Sequence, residues 1–175
     1  MLWLADWINA LNRAVAQFVR WFAVAMALIQ FGIVIGRYIF GVNSIWLQES
    51  VLYLHASLFM LSAGYTLLVD KHVRVDIVYA KVSDVSRRRI DIVGHLLFLL
   101  PAMAVLAWWS WPSVRNSWQI FEGPISVGGI EAVFLLKSLI PIFCLLVALQ
   151  SVANLIRLLT GRDCLLYTSD AADEV

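Results

Sequence analysis

The chain has 175 residues, of which 62% are hydrophobic and only 14% charged, and its formal net charge is +1. An ordinary soluble domain carries far less apolar side chain, so that class is not expected, and no nucleic-acid partner is expected either. Its two cysteines, Cys144 and Cys164, lack the spacing of a metal site.

Four apolar stretches organise the chain: residues 21–40, 46–69, 90–111 and 133–155. Each holds about 20 residues, which at 1.5 Å of rise matches a hydrocarbon core of ~30 Å. Backbone polar groups in lipid must be satisfied within the segment, so each stretch is expected to be a helix. The fold class is therefore all-α, a four-span transmembrane bundle filling residues 1–163, with no separate soluble domain.

Ahead of the first stretch, Leu4, Trp7, Ile8, Leu11, Val15 and Phe18 recur at helical spacing, with Asp6, Asn9, Asn12, Arg13 and Gln17 elsewhere around the wheel. This pattern predicts an amphipathic helix lying in the membrane interface; the other reading is a wet start to the first span. The first stretch is too long for the apolar region of a signal peptide and lacks a small-x-small cleavage site. Arg37 closes it. Asn43 and Ser44 are candidate caps for the second helix, Ser44 the better, and Glu49 falls in its first turn or so, near the positive end of the dipole. An Arg37–Glu49 pair across the short 41–44 turn is expected.

The second and third stretches are joined by a loop rich in base: Lys71, Arg74, Lys81, Arg87, Arg88 and Arg89. Within it His72-Val73-Arg74-Val75-Asp76 alternates polar and apolar residues, which suits a clamp in which Asp76 pairs Arg74 or a basic group on another helix. No third metal ligand accompanies His72 and Asp76, and the Arg87–Arg89 run reads as an anchor to lipid phosphate. Pro101 and Pro141 interrupt the third and fourth stretches and predict kinks. Glu122 and Glu131 flank a Gly-Pro and Gly-Gly loop leading to Lys137, one turn into the last span. Together with Arg37, Arg115 and Glu49 they form a rim of three bases and three acids, a balance that suits salt-bridged docking better than a substrate site.

Charge also orients the chain. Arg13, Arg20, the six bases of the central loop, Arg157 and Arg162 fall on one side if the helices alternate. Only Arg37, Arg115 and Lys137 fall on the other. The positive-inside rule then places both termini and the central loop in the cytoplasm. Trp46, Trp108, Trp109, Trp111 and Trp118 gather at the opposite boundary, as indole prefers the interface.

Residues 164–175 resemble the read-through translation of a sequencing adapter and are set apart from the membrane domain; omitting Asp170, Asp173 and Glu174 raises the formal charge from +1 to +4. His55 and His95 raise haem ligation, but counted from the membrane faces their depths differ by roughly 9 Å. Polar groups hydrogen-bonded inside the bundle are the plainer expectation. No Gly-rich phosphate loop, nucleophile–base pair or cysteine cluster is present, and no enzyme activity or cofactor is expected. A haem or quinone anchor for a membrane oxidoreductase, or a stand-alone four-helix membrane protein, are the alternatives.

Several strings run in order along the chain: Arg37-Tyr38-Ile39-Phe40, Trp46-Leu47-Gln48-Glu49, Ala63-Gly64-Tyr65-Thr66-Leu67 and His72-Val73-Arg74-Val75-Asp76, the last the most specific. Ile90-Asp91, Glu122-Gly123-Pro124, Gly128-Gly129-Ile130, Lys137-Ser138-Leu139-Ile140-Pro141 and Leu149-Gln150 complete the series. Taken together they resemble the small (DctQ-type) membrane subunit of the tripartite ATP-independent periplasmic (TRAP) transporters. Lys71 stands where the family often has Gly, and Glu131 where it often has Pro. The resemblance implies a bacterial inner-membrane protein working with a large permease subunit and a periplasmic substrate-binding protein. Such an assembly imports small organic acids on a sodium gradient, with substrate and ion sites on the large subunit. The structural or docking candidates on this chain are then Arg37, Trp46, Glu49, His72, Arg74, Asp76, Glu122 and Lys137.

Overall fold

The computed structural model describes residues 2–69, 84–124 and 126–160, and among them every regular element is helical. The elements are α1 (Leu2–Ile39), α2 (Ile45–Leu68), α3 (Asp84–Val93), a π-helical segment (Gly94–Leu99), α4 (Leu100–Gln119) and α5 (Val133–Thr160). Four helical runs are long and apolar enough to cross a membrane: Leu2–Ile39, Ile45–Leu68, Val85–Gln119 and Val133–Thr160. The four predicted stretches fall inside or within a residue of these runs. The adapter-like tail and His72, Arg74 and Asp76 lie outside the described residues.

The separate interfacial helix is not found. Residues 2–39 form one uninterrupted helix of 38 residues, about 57 Å long and nearly twice the hydrocarbon thickness. No proline occurs in that range, and the first glycine is Gly32, so nothing local ends the helix between the polar-flecked start and the apolar run. The buried side of that start also differs from the apolar face in the sequence pattern. Ala5, Ile8, Asn9, Asn12 and Val19 are buried, whereas Trp3, Trp7, Phe18 and Trp21 point outward. In lipid the large apolar side chains belong outside and the small and polar ones between helices.

Helix α5 is the hub. It packs against α1, α2 and the third span, and its buried residues include Cys144, Leu146, Val147, Gln150, Ser151, Ala153 and Leu155. Ala5, Ile8 and Ala153 form one apolar cluster; Ala63, Leu67 and Val147 form another, with Leu99, Met103 and Phe143 packed on it. Cys144, as expected, is a small buried packing residue.

Helix α2 starts as predicted: Ser44 has extended backbone and its hydroxyl accepts from the Leu47 N–H at 3.5 Å, filling an otherwise unpaired first-turn donor. The irregularity expected at Pro101 takes the form of a π segment just ahead of it. A proline ring clashes with the carbonyl four residues back; here the chain widens by one residue per turn, and the Leu100 N–H bonds to His95 O. Pro112 and Pro141 lie inside helices that continue through them.

Candidate functional site

Polar chemistry collects at the two ends of the bundle. At the end holding the start of α1 and the end of α5, these two helices meet through amides. Asn12 Nδ2 donates to Gln150 Oε1 at 2.9 Å, and Gln150 Nε2 donates to Asn9 Oδ1 at 2.8 Å and Asn154 Oδ1 at 3.0 Å. Asn12 and Gln150 are wholly buried. One turn further out, Arg157 donates to Asp6 at 2.9 Å. Gly64 of α2 completes the junction: a Cβ there would stand 2.2 Å from Asn12 Oδ1 and 3.2 Å from the Leu146 carbonyl oxygen. Three helices thus meet where only a glycine fits. Next to it the π segment directs His95 inward, with Nδ1 2.8 Å from Ser151 Oγ. Each hydrogen bond at membrane depth contributes about 0.6–2 kcal/mol, so the cluster pins helix register.

At the opposite end, Glu49 crosses to the loop before α5. Its carboxylate accepts from the Ile130 N–H at 2.6 Å, and a Cβ on Gly129 would lie 2.3 Å from both of its oxygens. Gly128 has φ +85°, a conformation natural to glycine. The Gly-Gly pair therefore serves two needs, one glycine for the turn and the next for contact with the acid. Lys137 pairs with Glu122, and the Lys137 ammonium holds that carboxyl below the usual carboxylate range. The Trp118 indole N–H donates to Ser138 Oγ at 2.8 Å, tying α4 to α5 at the same level.

These contacts sort the expected docking residues. Glu122 and Lys137 pair as a balanced rim requires. Glu49 lies beyond the first turn of α2 and does not pair with Arg37, because the loop amide two residues from the turn glycine reaches its carboxylate instead. Arg37, Arg115 and Glu131 are exposed and form no ion pair among the described residues, and Trp46, at the same end of the bundle, is exposed too. Of the two histidines read as bundle-interior groups, His95 is one and His55 is not: His55 is exposed on the outside of α2. Among the described residues no three His, Cys, Asp or Glu side chains converge as metal ligands.

The amide junction was missing from the sequence reading. Its trace was there, in two asparagines three apart on α1 and a glutamine and asparagine four apart on α5, each set on one helical face.

The geometry defines a polytopic helical membrane protein whose polar contacts join its own helices and leave a charged rim at one end. The sequence profile of the tripartite ATP-independent periplasmic transporters, DctQ component, matches residues 26–161. The chain belongs to that family, the small permease components of TRAP transporters, a family of transporter parts and not of enzymes. No curated protein is similar enough in sequence to count as a relative.

Proposed function

We propose that this chain is the small membrane subunit of a sodium-coupled importer of small organic acids, seated in the bacterial inner membrane with both termini in the cytoplasm. It braces a large permease subunit, and its outer rim helps seat the periplasmic substrate-binding protein. The observation that carries this reading is the division of labour among the rim charges. Glu122, Lys137 and Glu49 are engaged in holding the loop to the bundle, while Arg37, Arg115, Glu131 and Trp46 face outward from the same end. Exposed charges above a stiffened loop can steer and register a soluble partner, chiefly through its on-rate. Substrate and ion sites, with the movement that carries them, fall to the larger subunit, and no cofactor is assigned to this chain.

Two measurements test it. The tagged full chain, expressed with the permease encoded beside it, should retain that larger protein through purification; failure to retain it defeats the proposal. With the complex in nanodiscs, Arg37→Glu combined with Arg115→Glu should slow binding-protein association by about tenfold at low salt, and the difference should shrink as salt rises. An unchanged on-rate removes the docking role and leaves the bracing role standing.

A further inference from the structure

In the outer half of α2 the exposed positions form one narrow stripe, and the rest are half-buried against neighbouring helices. Its exposed positions are Ile45, Trp46, Gln48, Leu52, His55 and Phe59. Apart from Trp46 beside the cap, they are spaced three, four, three and four residues apart. That is the spacing of a helix seam into which a second helix packs its side chains. Leu52 is 53% exposed and Phe59 71% exposed, so no described residue fills the seam.

His55 makes lipid a poor cover for it. Ten residues into α2, it lies about 15 Å from the helix start, near the middle of a ~30 Å core. It stacks on Phe59 with ring centroids 6.4 Å apart, and its ring nitrogens have no hydrogen-bond partner among the described residues. Hydrocarbon offers none, and a polar group at that depth is costly unless protein satisfies it. Gln30, nine residues from the end of α1, is exposed at a matching depth. By contrast, the exposed mid-depth positions of the third and fourth spans are all apolar: Leu96, Leu97, Phe98, Val105, Ile142 and Leu145 are examples. Lipid suits that half of the bundle and not the half built by α1 and α2.

We propose that the α2 seam is where a transmembrane helix of the large permease subunit packs, presenting a hydrogen-bonding side chain to His55. The inference rests on the function proposed above and names the surface that serves it. A second copy of this chain would bring one His55 against another at equal depth; that is the competing occupant.

The experiment uses the full chain co-expressed with the large subunit, carrying a benzophenone amino acid in place of Leu52 or Phe59, or of Phe98 or Trp109 as lipid-facing controls. Irradiation should join positions 52 and 59 to the large subunit several-fold more than positions 98 and 109. In parallel, His55→Leu should lower recovery of the complex about 3- to 30-fold, the loss of one membrane-depth hydrogen bond. The thermal stability of the isolated chain should be unchanged, and His55→Gln should restore part of the complex. Equal cross-linking from the controls, cross-links to a second copy, or full recovery with His55→Leu overturns the seam. If wild type holds the large subunit while the seam probes fail, the functional proposal stands and only this surface is wrong. If wild type never holds it, both fall.

Discussion

Gly64 sits where side chain and backbone of α1 and α5 close in on α2, with no room for a methyl group. A methyl group there meets the Asn12 carbonyl oxygen at 2.2 Å and its Cγ at 2.9 Å, and Asn12 cannot swing aside without leaving Gln150. The backbone oxygen of Leu146, 3.2 Å away, blocks the remaining direction. Gly64→Ala should therefore cost about 2–4 kcal/mol, combining overpacking with a lost hydrogen bond. Thermal unfolding in detergent reads this, and Asn12→Ala in the same chain should return part of the loss. An additive loss would mean that the two residues do not compete for space. Glu122 governs a gentler effect at the other end. Lys137 lowers its pKa in the folded chain, so the pairing contributes above the carboxyl's ordinary range, about pH 4 to 5, and is lost as pH falls through the depressed value. The unfolding midpoint should decline with acidification there, and Glu122→Gln should flatten that part of the profile. The partner charges are about a third exposed, so solvent keeps the effect small.

At the scale of elements, length and apolarity made all four spans legible, and the Ser44 cap could be read from residue type alone. What escaped was which face of each helix is inside. In water the apolar stripe identifies the buried face, but in lipid both faces are apolar and only small or polar residues mark the contact. Asn9 and Asn12, which lie off the apolar stripe of the wheel, are thus the contact itself. Glu49 was misassigned for another reason: its partner is a backbone amide 81 positions away, and no side-chain complementarity announces it. The π segment was foreseeable only as an irregularity at Pro101. Its consequence is specific, since the widened turn brings His95 onto Ser151. Ser151→Ala should cost about 1 kcal/mol in detergent stability by removing that hydroxyl. Pro101→Ala should lower His95 protection from alkylation, because a regular α-turn would rotate the imidazole away. An unaltered histidine reactivity would separate the proline from the π turn.

For the molecule as a whole, one asymmetry organises everything else. By sequence, ten of the 13 Lys and Arg residues fall on the side of the central loop, while the opposite end is rich in tryptophan and holds the Glu122–Lys137 pair beside Arg37, Arg115 and Glu131, which form no ion pair among the described residues. The amide junction and the Asp6–Arg157 pair tie the first and last helices together, so the start of α1 and the end of α5 lie at the same end of the bundle. The function proposed above puts that side in the cytoplasm, as the positive-inside rule expects. Exposed positions are available to test it at each end: Val85 at the start of α3 and Val127 in the loop before α5 are 65% and 95% exposed. In a chain with Cys144→Ala and Cys164→Ser, Val127→Cys should react with a membrane-impermeant maleimide added to spheroplasts. Val85→Cys should react only after the membrane is opened. Reversed labelling would put the free rim charges on the cytoplasmic side, where no periplasmic protein could meet them, and would defeat the docking role. The helix packing would survive unchanged, because the internal contacts are indifferent to which way the bundle points. The seam on α2 would survive too, since His55 lies near mid-depth whichever way the bundle points.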